Sequence, residues 1–172
     1  PVIFGNLVSN LKDQAPFISS PQPLSLKAGT VFQTARASLR GGRLQEADSL
    51  FRLAKDLDVL RFRAPEEMNS VIARLASAYS APVVNFDSLF HDRSPNGIVG
   101  DNLMTDHLHP TLEGYRMMGA SFLKAMRTHR IVPRCPTREL TDEELDSLTV
   151  SAFAISRLDT VLGLYRIALL KN

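Results

Sequence analysis

Asp106-His107-Leu108-His109-Pro110-Thr111-Leu112-Glu113-Gly114-Tyr115 is the stretch on which the reading of this chain turns. It sets a carboxylate three residues before an imidazole, follows the imidazole with a proline, and runs directly into a helical pattern. Pro110 biases His109 away from helical dihedrals, so that residue stays extended just ahead of the helix. Thr111 is placed to cap the helix, because its hydroxyl can accept from a backbone N–H of the first turn. Tyr115, Met118, Phe122 and Met126 then recur at helical spacing on one face. Gly114 and Gly119 allow close packing, and Lys124 and Arg127 suit the negative end of the helix dipole.

Three chemistries fit that segment as residues. Asp106 can orient His109 so that the far ring nitrogen faces a nucleophile, the arrangement of a hydrolytic dyad. His107 and His109, which point the same way if the backbone is extended, can instead bind a metal with Asp106 or His91. The third reading is a polar loop ending in a helix cap. An Asp and a His three residues apart do not by themselves decide among these.

Working outward, Val2 to Val8 is short, apolar and rich in β-branched residues, and reads as a buried strand. Ser9 to Lys27, with Pro16, Pro21 and Pro23, reads as an irregular connection. Thr30 to Leu57 is helical in pattern and broken at Gly41-Gly42, which predicts two antiparallel helices. Pro65 opens a further helix, with Glu66 and Glu67 in its first turn and an apolar stripe of Met68, Val71, Ile72, Leu75, Ala76 and Tyr79. Val83-Val84-Asn85-Phe86 is a second strand, leading into an Asp-, Asn- and Gly-rich loop from His91 to Asn102. Pro133 and Pro136 mark a linker, and Thr141-Asp142-Glu143-Glu144 is a capping box that opens a helical region reaching about Leu170.

The 172 residues suffice for one well-cored domain with an appendage. Twenty basic against eighteen acidic residues give a formal charge of +2, so no strong field argues for nucleic acid or an anionic membrane. Loose clustering of Arg127, Arg130 and Arg134 reads as a solvated surface. No apolar stretch of about 20 residues could span a membrane. A single cysteine, Cys135, excludes an internal disulfide framework and a four-cysteine zinc site, and leaves the compartment undetermined. The chain opens at Pro1 on an apolar run, and the expectation is processing or an excised piece. The apolar residues of the C-terminal region, among them Leu148, Phe153, Leu158, Val161, Leu162 and Tyr165, need a partner surface.

The run DHLHPTLEGYRMMG resembles the last conserved block of the SGNH (GDSL-type) hydrolases, an Asp-x-x-His followed by Pro and then a Gly in the next helix. PVVNFD before it, PVIFGNLVSNLKDQAPF at the start and RLAKDLDVLRFRAPEEMN between them are similar to stretches of a subset of these enzymes. The resemblance covers most of residues 1 to 130, with only Asp-x-x-His-Pro at the level of a motif. It implies an α/β chain: part of a flavodoxin-like (SGNH-type) three-layer core over 1–134, with a helical hairpin insert at about 29–60 and a C-terminal helical extension over 135–172. It implies Asp106 and His109 as the catalytic acid–base pair acting on an ester substrate, without metal or organic cofactor.

The family's other elements are missing. Its nucleophile sits in a Gly-Asp-Ser turn after the first strand, and its oxyanion hole uses a Gly and an Asn. Here the nearest imitation is Phe86-Asp87-Ser88-Leu89, where Phe replaces the glycine that permits the tight turn. Gly5-Asn6 and Asn10 do not match the Gly-x-Asn-Asp block, and Asn96-Gly97 reads as an ordinary turn. The chain is therefore expected to be inactive alone, and to self-associate through its helical surfaces. Gly42, Leu44, Ala47, Phe51 and Ala54, with Ala35 upstream, resemble one tetratricopeptide hairpin that lacks its closing proline, Val59 standing there. That leaves a helical protein-interaction module on a non-catalytic scaffold as the alternative function.

Overall fold

The computed structural model describes residues 1–20, 27–133, 140–152 and 156–171. Pro21, Pro23, Arg134, Cys135, Pro136 and Phe153, singled out in the sequence, lie outside the described residues. The chain divides into two compact units, Pro1–Ala125 and Met126–Asn172.

The described residues do not form the expected three-layer flavodoxin-like α/β core. They form seven α-helices and one two-stranded parallel sheet. A three-layer fold needs a sheet broad enough to carry helices on both faces. Here each apolar run contributes two ladder residues, β1 (Phe4–Gly5) and β2 (Val83–Val84), paired Phe4 to Val83 and Gly5 to Val84. The cause is local competition from asparagines. Asn6 Nδ2 donates to Asn85 Oδ1 at 2.8 Å, and the Leu7 backbone exchanges two hydrogen bonds with the Asn69 side chain at 2.7 and 2.8 Å. Asn85 Oδ1 also accepts from Ser88 N at 3.0 Å, capping a helix where the strand was expected to continue.

The first unit has two cores. In one, helices α1 (Ala28–Arg40) and α2 (Leu44–Asp56) pair as an antiparallel hairpin. Gly42 takes φ +73°, the left-handed conformation the turn requires. Ala35, Ala47 and Ala54 are fully buried, and their small side chains let Phe32 and Phe51 meet edge to face at 5.3 Å. Leu11 and Ile98 complete this cluster. Helix α3 (Glu66–Ala78) follows Pro65 as read, yet of its apolar stripe only Ala76 is buried; Met68, Leu75 and Tyr79 are exposed. Arg52 of α2 fastens it instead, pairing with Glu66 of α3 and with Asp87 at 3.2 Å each.

The second core lies under the Asp-His segment. Phe86 and Phe90, four residues apart, bury one face of α4 (Phe86–Asp92) against Val84, Val99, Leu103 and Met104. Met117, Met118, Phe122 and Ala125 of α5 (Leu112–Thr128) pack on this cluster, with Phe86 and Phe122 edge to face at 5.0 Å. Tyr115, expected on the packed face, is exposed. Thr111 caps α5 as read, accepting from Gly114 N at 3.2 Å. Gly114 is where the helix touches the Asp-His loop: a Cβ there would lie 2.8 Å from both Leu103 O and Pro110 Cβ. Gly119 meets nothing within 4 Å, so the close packing expected of it is not formed.

In the second unit, α6 (Asp142–Ala152) opens on the capping box read from the sequence, with Thr141 N donating to Glu144 Oε2 at 2.9 Å and Glu144 N to Thr141 Oγ1 at 3.2 Å. A separate helix, α7 (Arg157–Lys171), follows, opened by Ser156 and Asp159 in the same reciprocal manner. No single helix is long and apolar enough to cross a membrane among the described residues.

Gly114→Ala is expected to destabilise the chain by about 1–3 kcal/mol, because the obstacles are backbone and a proline ring rather than a flexible side chain. Gly119→Ala is expected to be neutral or stabilising by up to about 1 kcal/mol, since the site is open and alanine favours helix. Urea denaturation midpoints of the two variants check both signs.

Candidate functional site

The Asp-His segment is a closed turn, not the extended run assumed for metal binding. Met104 and Pro110 form an antiparallel bridge, Thr105 N donates to His109 O at 2.8 Å, and Thr111 N donates to Leu103 O at 2.8 Å. The Thr105 hydroxyl lies 2.9 and 3.0 Å from the carbonyl oxygens of His109 and Pro110. Every one of these bonds restrains the backbone of His109 or of its neighbours.

Within the turn, Asp106 has two tasks on two oxygens. Oδ1 accepts from the backbone N–H groups of Leu108 and His109, each at 2.8 Å. Oδ2 lies 2.7 Å from His109 Nδ1. An ionised carboxylate only accepts, so the proton resides on Nδ1 and the lone pair on Nε2. Partial burial alone would raise the Asp106 pKa, but the backbone donors of His109 and Leu108, with the His109 ring, hold it below the ordinary carboxylate range. The His109 side chain is 56% exposed, so Nε2 is open to a reacting group. The pair can therefore take a proton at Nε2 and stabilise the imidazolium that results.

His107 is a different kind of histidine. Its Nε2 lies 3.0 Å from Ala15 O, and its ring stacks on Phe17 with centroids 4.1 Å apart and planes 21° apart. Burial pushes its pKa down, and the nearby Arg63 charge adds to that, against the opposing pull of the Ala15 carbonyl and of Asp106 and Asp58. Among the described residues no three His, Cys, Asp or Glu side chains gather to hold a metal ion, and the His91 ring lies over Gly97 instead.

Ser88 stands exposed in the first turn of α4, its N–H donated to Asn85. Among the described residues no hydroxyl hydrogen-bonds to His109 Nε2. A concavity of about 540 Å³ between α3 and the carboxyl ends of the two strands is bordered by Asn6, Asn69 and Asn85. It touches neither Asp106 nor His109, and its amides are engaged with one another and with backbone. Asp106 and His109 are the aligned, partly exposed titratable pair of this segment.

Sequence reasoning missed the support beneath the turn. Asn10, fully buried, donates its backbone N–H to His107 O at 3.1 Å and its side chain to Asp101 Oδ1 at 2.7 Å, while accepting from Asp13 N at 3.1 Å. Arg63 donates to Asn10 O at 2.9 Å and to Gln14 O at 3.1 Å. The local sequence held no signal for this: Arg61 and Arg63 both stand among apolar neighbours, and only Arg63 is buried. No family profile, no curated protein and no solved structure matches this chain.

Because the folded-state pKa of Asp106 lies below its unfolded value, its contribution is complete above about pH 4. It is lost as pH falls through the folded value. Asp106→Asn removes that acid-dependent part and is expected to flatten the corresponding fall in urea midpoint. Asp106→Ala also leaves the backbone N–H donors of Leu108 and His109 without their acceptor and should cost about 1–2 kcal/mol at neutral pH. Midpoints measured across the acid range for the three proteins test both statements.

Proposed function

We propose that this chain carries the acid–base half of a serine ester hydrolase of the SGNH type, with Asp106 orienting His109. The observation that carries the reading is the 2.7 Å contact from His109 Nδ1 to Asp106 with Nε2 left open. The nucleophilic hydroxyl and the oxyanion donors come from outside the described residues. As that oxygen forms its bond to the ester carbonyl, its proton passes to His109 Nε2; the same proton is then given to the departing alkoxide. Water repeats the sequence to free the acyl group. The resemblance of DHLHPTLEGYRMMG supports the assignment, and its substrate class is an ester.

Two measurements test it. Nitrogen chemical shifts of His109 are expected to report a protonated Nδ1 and an unprotonated Nε2 at neutral pH, with the balance shifting toward Nε2–H in Asp106→Asn. Predominance of the Nε2–H tautomer in the unaltered chain would refute the dyad. The chain alone is expected to give no turnover of an activated short-chain ester above buffer. Turnover abolished by His109→Ala would instead locate the nucleophile inside this chain.

A second proposal concerns assembly. Helix α7 exposes Leu158, Val161, Leu164, Tyr165 and Leu169, more apolar surface than an isolated helix keeps in water. Two copies of the chain pair through these side chains. Sedimentation equilibrium is expected to give a dimer that Val161→Glu dissociates; a monomer at high concentration would sink the idea.

A further inference from the structure

Beside the dyad turn lies an aromatic shelf. Phe17 stacks on His107 at 4.1 Å on one side and meets Phe62 edge to face at 5.5 Å on the other, while Phe62 also approaches His107 edge-on at 6.1 Å. Despite those contacts Phe17 and Phe62 remain 49% and 48% exposed. The shelf continues into Ile18 and Val59, both about half exposed, whose segments are joined by Val59 N donating to Ile18 O at 3.0 Å and by the Ser19–Asp58 bridge. Loops normally surface polar groups, so two loops zippered together to present apolar side chains mark a binding surface.

The backbone of the shelf is anchored from inside. Asp58, only 2% exposed, accepts from Phe17 N at 2.8 Å and Ile18 N at 3.0 Å, fixing the two residues that project outward. Its exposed side chains are also uncharged: Ala15 to Ser20 carries no charge, and Phe62 and Val59 are apolar. Phe17, Phe62, Ile18 and Val59 offer an ionic ligand no charge, whereas an aliphatic chain finds two half-exposed rings and two branched side chains.

Continuity with the dyad decides the occupant. His107, which forms the inner wall of the shelf, is two residues from His109, a backbone span of at most about 7 Å. We propose that Phe17, Phe62 and Val59 bind the aliphatic acyl chain of the ester whose carbonyl is presented to His109. This rests on the hydrolase reading above and adds the substrate class: esters of medium-length aliphatic acids rather than acetyl esters. The binding energy of the chain, remote from the bond that breaks, would hold the carbonyl at the histidine.

The test uses methyl octyl ketone, an uncleavable analogue of the acyl portion, titrated into the purified chain. Ring-proton shifts of Phe17, Phe62 and His107 are followed by NMR, with methyl ethyl ketone as the short-chain control. Expected are saturable shifts at all three rings with the long ketone and none with the short one. Phe17→Ala and Val59→Ser, both at half-exposed positions, should each weaken binding at least about tenfold while circular dichroism stays unchanged. Absence of saturable shifts, or binding that survives both substitutions, overturns the proposal. Shifts of the same rings on raising protein concentration without ketone would assign the shelf to a second copy of the chain and also overturn it. The His109 tautomer is read in the same samples, so failure of the shelf and failure of the dyad are seen separately.

Discussion

The first unit's loops depend on one buried ion pair. Arg63 and Asp58, only 4% and 2% exposed, stand 3.7 Å apart with no solvent to share the charge. Burial of that kind is costly to each ion, and removal of either partner from such a pair typically costs about 3–5 kcal/mol. What repays it is the number of backbone groups each ion satisfies. Arg63 donates to the carbonyls of Asn10 and Gln14, and Asp58 accepts from Phe17, Ile18 and Leu60. Two long irregular segments, which offer few backbone pairs to one another, are thereby tied to the protein through side chains.

From there the restraint passes to the candidate site. Asn10, fixed by Arg63 through its carbonyl, donates to His107 O and so grips the dyad turn from below. Gly114 grips it from the other side, because only a residue without Cβ lets α5 approach Leu103 and Pro110. The dyad geometry is thus set by packing and buried hydrogen bonds rather than by the two residues alone. An Asp three positions before a His can face it in many turns; this turn holds Nδ1 against the carboxylate because its backbone has no other place to go. Preorganisation of this sort is what the general-base role proposed for His109 would require.

How much was readable in advance follows the range of the interactions. The α1–α2 hairpin, the Thr111 cap and the capping box at Thr141 were legible, because each depends on residues within a few positions of one another. The Asp106–His109 spacing made the pairing one of three readings, and only the folded turn shows the contact. The strands were not: Val2–Val8 and Val83–Phe86 have strand-like composition, but Asn6, Asn69 and Asn85 capture the backbone and end both after two paired residues. Helix α4 was hidden in what looked like the end of a strand, since its cap is Asn85 and its buried residues are only Phe86 and Phe90. The stripe of α3 misled in the other direction, as helical periodicity says which residues share a face and not whether anything covers it.

By itself, then, the amino-acid sequence determined the local devices: caps, the glycine turn and the carboxylate–imidazole spacing. Tertiary structure alone decided that the sheet stops at two strands, that His107 and His109 have opposite environments, and that Arg63 lies inside. The physical reason is burial. Desolvation makes a hydrogen bond to Asn10 or an ion pair with Asp58 obligatory, and burial arises only when segments about 50 residues apart, such as those of Asn10 and Arg63, are brought together.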